Sequence, residues 1–368
     1  MKRIYASKRL QNTKLYKEHQ QLIDDCYKSS LRIEQNQQSF FKRHSFIKAK
    51  TGEFIKPSYS FENEYKKSSK SIEQRSFATE NLAKERGKKT LMLTLTLNEQ
   101  FHPFLSIDNK GKRLYVSLNK AFAFKTLFDS IIVGCKELQI IWRDLYQRLE
   151  RGCNKIYYVK VIEFHASGIP HMHVVVFVDK EDIPVVFNRF EKIKKIYKLN
   201  QIDIQSILDD KENNSDIKTN IKRPTKYLMK YITKSIHEDP FYVRVLDGLK
   251  RKTKTRLFTS SRLDLNMSDY KTIYYNLDKD IKDSLVEKAI AKDVCLYYFL
   301  LKNTYKAVIT KKNQNSLLKQ YGDIKKAQLR LFINRTQLSQ GGYKINNLSF
   351  FVNDYIYKKE TNIIIRRN

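Results

Sequence analysis

Two histidines separated by a single residue, His171 and His173, open a run of apolar, mostly β-branched residues, Val174-Val175-Val176-Phe177-Val178. Side chains on a strand alternate between faces, so both imidazoles point one way, about 6–7 Å apart along the strand, and can reach one metal ion. Met172, Val174, Val176 and Val178 then point the other way, into a core. The preceding run, Tyr157 to Phe164, is also strand-like, and Ser167, Gly168 and Pro170 mark a turn between the two, which predicts a hairpin. A register that sets Glu163 beside His171 or His173 adds a carboxylate on the same face. Two imidazoles and one carboxylate leave a divalent ion with open positions, as a metal that acts on a substrate requires. Iron oxygenases and zinc enzymes use the same set, so a second motif has to choose the chemistry. His165, two residues after Glu163, falls at the turn and is not assigned as a ligand.

The second motif is Thr225 to Lys234, a doubled Tyr-x-x-Lys repeat made of Tyr227/Lys230 and Tyr231/Lys234. Pro224 suits the first turn of a helix. On that helix Tyr227 and Tyr231 share a face, with Lys234 beside Tyr231, while Leu228 and Ile232 form an adjacent stripe that can dock on a sheet. A phenol with a pKa near 10 is a weak nucleophile until a metal or a cation favours its anion. Lys230 or Lys234 supplies such a charge. A third motif, Leu91 to Asn98, alternates strictly: Leu91, Leu93, Leu95 and Leu97 on one face, Thr94, Thr96 and Asn98 on the other. That pattern predicts a sheet strand with one covered face. Thr96 and Asn98 either contact the substrate or support the site.

These three motifs, in this order, resemble the rolling-circle replication initiators of the HUH endonuclease superfamily, including bacteriophage gene A-type initiators and plasmid and filamentous-phage Rep proteins. The resemblance covers about Lys88 to Leu265, and the charged stretch between the second and third motifs departs from it. It implies that a tyrosine nicks one DNA strand, leaving a 5′-phosphotyrosyl link and a free 3′-OH. Glu163, His171 and His173 would hold Mg²⁺ or Mn²⁺, Tyr231 would attack first, Tyr227 would serve a second transfer, and Lys230 and Lys234 would assist. The implied partners are single-stranded or hairpin origin DNA of a plasmid or phage, a host replication helicase and a polymerase. Two rival readings are a relaxase or transposase with the same core and a basic nucleic-acid-binding protein without catalysis. Relaxases usually place the tyrosine before the histidines, whereas here the tyrosines follow.

The 368 residues carry a formal charge of +32 and a pI near 9.8, a field that favours polyanions. Aromatic residues interleaved with lysines suit single-stranded nucleic acid, although an AT-rich coding sequence would also enrich lysine. Cys26, Cys135, Cys153 and Cys295 lack paired spacing and read as free thiols of a reducing cytoplasm. No secretion signal follows Met1, and no apolar run reaches membrane length. The absence of a Gly-x-x-x-x-Gly-Lys-Ser/Thr motif argues against a fused helicase.

The expected fold is α+β: an antiparallel sheet carrying the metal ligands, flanking helices with the tyrosine helix beside it, a helical N-terminal arm and a mixed C-terminal region. Residues 1–88 read as a basic helical arm and linker, with 51–88 polar and loosely packed. Residues 89–265 read as the endonuclease core and 266–368 as a region of unassigned role, with DNA binding as one candidate. Within the core the periodicity predicts a helix over 119–151 with Gly152 as its cap, a helix from Pro184 to Lys198 and a strand over 201–207. Asp209–Thr219 reads as an acidic loop. The basic run Lys250–Arg256 reads as a loop, either solvated or contacting phosphate. Leu257–Arg262 resembles the segment that closes the family core.

Overall fold

Chain order places strands and helices as follows in a computed structural model that describes residues 4–48, 54–109, 112–199, 202–207, 225–226, 228–229, 240–276, 279–309, 329–337, 343–352, 355–359 and 363–367. They begin with β1 (Tyr5–Ala6), α1 (Lys8–Gln11), α2 (Lys14–Arg43), β2 (His44–Lys48), β3 (Phe54–Ile55) and α3 (Phe61–Glu85). Then come β4 (Lys89–Thr96), β5 (Phe104–Asn109), β6 (Lys112–Leu118), α4 (Leu127–Gly152), β7 (Tyr157–Phe164) and β8 (Pro170–Val178). The first unit ends with α5 (Ile183–Ile196), β9 (Ile202–Ile207), α6 (Pro240–Thr253) and β10 (Phe258–Ser260). The chain divides into two units, Met1–Phe40 with Ser58–Ser261, and Phe41–Pro57 with Arg262–Asn368.

The first unit is α+β, as the sequence predicts. Its main sheet has the order β10-β7-β8-β4-β9, and every neighbouring pair is antiparallel. Every residue of the central strand β8 is buried. One face of the sheet presents Leu91, Leu93, Leu95, Ile162, Met172, Val174 and Val176 to the stripes of α2, α4, α5 and α6. The opposite face, predicted to be open, is covered as well. There Met92, Val159, Val161, Val175 and Phe177 pack with Ala83 of α3 and with Leu228 and Met229. The uninterrupted valine run of β8 is the composition of a strand buried on both sides.

Helix α4 begins at Leu127, later than its periodicity suggests. Thr126 caps it by accepting from the Asp129 amide, and the Asn119 side chain donates to the carbonyls of Glu99 and His102, which holds the preceding residues in a turn. The hairpin of β5 and β6, for which the sequence carries no expectation, pairs with β1 in a small second sheet. Residues 51–88, read as linker and loose arm, contain the 25-residue helix α3. Its buried positions are largely small or hydroxylated, Ser69, Ser76, Ala78, Thr79 and Ala83, so no apolar stripe announces it.

The basic run Lys250–Arg256 is not simply a loop: Lys250 to Thr253 form the last turn of α6. Helix α6 lies against α2, where Arg244 pairs with Glu34 at 2.7 Å. A Cβ at Gly248 would stand 2.1 Å from the Cys26 carbonyl oxygen, so only glycine allows that approach. Burial pushes the Cys26 and Cys135 thiols up to about 11, and none of the four cysteines forms a disulfide.

The second unit has a four-stranded sheet in which Thr304–Ile309 pairs parallel with Leu329–Gln337, and Tyr343–Val352 and Tyr355–Lys359 continue antiparallel. Ile363–Arg367 pairs with β2, which pairs with β3. Helices Met267–Asn276, Lys279–Ala291 and Leu296–Asn303 accompany them, and the Tyr270 and Tyr274 rings stack at 6.1 Å. Among the described residues, no helix is long and apolar enough to cross a membrane.

Candidate metal centre

The β7–β8 hairpin sets Glu163 directly opposite His171, and β4 sets Thr96 opposite His171 and Thr94 opposite His173. The turn is held by the His165 amide donating to the Ile169 carbonyl at 2.9 Å and the Gly168 amide donating to the His165 carbonyl at 2.8 Å. Gly168 sits at φ +92°, where a side chain would be strained. Helix α2 braces this turn. His19, fully buried, donates from Nε2 to the Ala166 carbonyl at 2.9 Å, while Gln20 donates to its Nδ1 at 3.1 Å. Those two partners require the neutral Nε2–H tautomer, and burial lowers His19 to about 4.

The Glu163 carboxylate lies 2.8 Å from His171 Nε2 and 3.4 Å from His173 Nε2. One ligand atom from each of Glu163, His171 and His173 falls within 4.8 Å of the other two. Two ligand atoms in adjacent positions on an ion that binds at about 2.1 Å lie about 3 Å apart, so this spacing and donor set fit a small divalent cation. Burial alone would raise the Glu163 carboxyl, but the adjoining His171 and His173 imidazoles hold it at about 2, His171 through a hydrogen bond. Burial lowers His173. The carboxylate is thus ionised and His173 neutral at pH 7, the forms that ligate metals.

The structure adds residues to this set. Thr94 Oγ1 lies 3.1 Å from His173 Nδ1. With the hydroxyl accepting from Nδ1–H, His173 presents its Nε2 lone pair to a metal in place of a hydrogen bond to Glu163, which is how a partner of a ligand selects its tautomer. The sequence placed Thr94 on the polar face without assigning this contact. The His165 ring lies 4.0 Å from that of His171 and 6.0 Å from that of His102. Burial lowers both His102 and His165, the latter to about 3, so neutral rings wall the His171 side.

The tyrosine motif is described in part. Thr225–Lys226 and Leu228–Met229 are helical, and Leu228 and Met229 are buried on the sheet face that carries Glu163, His171 and His173. Tyr227, Lys230, Tyr231 and Lys234 lie outside the described residues, as does the acidic loop Asp209–Thr219. The start of the segment is anchored by α3: the Glu80 carboxylate, buried, accepts from both the amide and the hydroxyl of buried Thr225, and pairs with Lys84 at 2.8 Å. A lone glutamate in a charged stretch carries no sequence signal of such a role.

The model of a family described as bacteriophage replication gene A protein (GPA) matches residues 13–239. No curated protein and no solved structure matches the chain.

Proposed function

This chain belongs to the family of bacteriophage replication gene A proteins, and we propose that it starts rolling-circle replication by metal-dependent nicking and strand transfer at an origin. The observation that carries this reading is the convergence of Glu163, His171 and His173 on one sheet face, the face on which Leu228 and Met229 of the tyrosine motif are buried. Mg²⁺ or Mn²⁺ bound by the three residues would neutralise a phosphodiester oxygen and make phosphorus open to attack. Tyr231 is the first nucleophile. Its phenolate oxygen bonds to phosphorus as the bond from phosphorus to the 3′-oxygen breaks, which gives a 5′-phosphotyrosyl link and a 3′-OH. Lys230 and Lys234 favour the phenolate and offset phosphate charge. The ester keeps the energy of the cut linkage, so Tyr227 can carry a second transfer without ATP. The free 3′-OH would prime a host polymerase behind a host helicase. Residues 89–265 hold this chemistry.

Incubation with single-stranded origin libraries and Mn²⁺ tests the reading. His171→Ala and His173→Ala should each abolish cleavage while leaving DNA binding, and Glu163→Ala should move the activity curve to higher Mn²⁺. Undiminished nicking by either histidine variant removes the metal assignment.

A further inference from the structure

A cavity of about 970 Å³ lies in the first unit, flanked by α3, α6, β7 and β10, with Glu163 on its lining. That size is at the upper end of the roughly 300–1,000 Å³ range of small-ligand sites. Its wall combines two chemistries. Tyr65 of α3 and Tyr242 of α6 are half-buried, and Arg75, Lys250 and Arg256 add positive charge. The lining acids do not cancel that charge. Glu64 is paired with Lys67 at 2.8 Å and Asp247 with Arg251 at 2.7 Å, while Glu163 faces the two histidines. Lys250 alone could be explained as a cation favoured at a helix C-terminus. Arg75 in α3 and Arg256 beyond α6 lie outside that turn and extend the positive wall to both sides.

We propose that this cavity holds a nucleotide flanking the scissile phosphate, its base against Tyr65 or Tyr242 and its phosphate on Arg75, Lys250 and Arg256. The ligand is single-stranded DNA, because aromatic rings among cations take up unstacked bases, whereas a duplex offers phosphates but no free base faces. Glu163 fixes the position along the strand, since the residue that would ligate the metal at the cut also lines the cavity. The inference rests on the nicking reading for the identity of that phosphate.

The test uses the full chain in EDTA, where no cleavage occurs, with a fluorescein-labelled single strand of mixed sequence read by anisotropy. Tyr65→Ala or Tyr242→Ala should weaken binding roughly 5- to 150-fold, the range measured for a lost base stack. The double variant Lys250→Gln/Arg256→Gln, at two exposed positions, should lower the salt slope of log affinity by about 1.4, or 0.7 per lost phosphate. Mn²⁺ binding by these variants should match wild type. Ultraviolet cross-linking of a 5-iodouracil-substituted strand should map to Phe61–Arg75 or to α6. Unchanged affinity and salt slope, or cross-links wholly outside these segments, would overturn the assignment. If the wild type forms no covalent adduct with metal while these binding losses appear, the nicking reading fails and the cavity remains a single-strand site.

Discussion

Thr94→Val removes one hydroxyl and keeps the side chain's size. The hydroxyl lies 3.1 Å from Nδ1 of His173, whose side chain is 8% exposed, so no bulk water replaces it. The loss then has two routes. Either Nδ1–H stays buried without an acceptor, or the proton moves to Nε2 and must be displaced before a metal can bind. A net hydrogen bond of about 0.5–1.5 kcal/mol and a cost of about 1–3 kcal/mol for a buried unsatisfied group bracket the effect. Mn²⁺ affinity should therefore fall roughly 2- to 150-fold, a range that includes the 10- to 100-fold typical of residues that orient metal ligands. Titration calorimetry with Mn²⁺ in the absence of DNA measures it directly, with urea unfolding to verify the fold. Thr94→Ser should bind nearly as wild type. Wild-type affinity in Thr94→Val, or equal losses in the serine and valine variants, would refute the reasoning and leave Thr94 as packing.

Glu80→Ala strands two donors of buried Thr225 and should cost about 2–4 kcal/mol in urea unfolding; an unchanged midpoint and slope would mean that α3 does not anchor the tyrosine segment. Gly248→Ala forces a Cβ onto the Cys26 carbonyl and should destabilise by about 1–3 kcal/mol or more, whereas a neutral result would refute the close helix contact. Burial lowers His19 from 6.5 to about 4, so between these values the unfolded chain binds the extra proton and stability falls as pH falls. The loss should approach about 3 kcal/mol near pH 4 and vanish above pH 6.5. His19→Gln should flatten the stability curve across that window, and an unaltered slope would show that His19 is already protonated in the fold.

The parts of the site that follow from strand periodicity were legible in the sequence. His171 and His173 share a face because the spacing is two, and Glu163 joins them because a short Gly-containing turn fixes the hairpin register. The strand Leu91–Asn98 declared itself by alternation, and α4 and α5 by their apolar stripes. Helix α3 did not, because its buried face is serine, threonine and alanine, which read as a solvated linker. Glu80 was invisible for a related reason: a buried carboxylate is recognisable only by the donors that meet it, and Thr225 lies 145 residues away. Thr94 was seen as polar, but its partner depends on a β4–β8 register that no local pattern sets. The basic run at Lys250 was conspicuous, and only the fold shows that it ends a helix whose placement glycine 248 permits.

The central claim is that a tyrosine of the Thr225–Lys234 motif becomes covalently joined to DNA in a reaction that needs the Glu163, His171 and His173 site. Peptide mapping of the adduct formed with single-stranded origin DNA and Mn²⁺ tests it most directly. The 5′-phosphate should be found mainly on Tyr231, with no adduct in Tyr231→Phe, in His171→Ala or in EDTA. An adduct chiefly on Tyr227 would reverse the order of the two nucleophiles, and DNA joined to neither tyrosine would contradict the account.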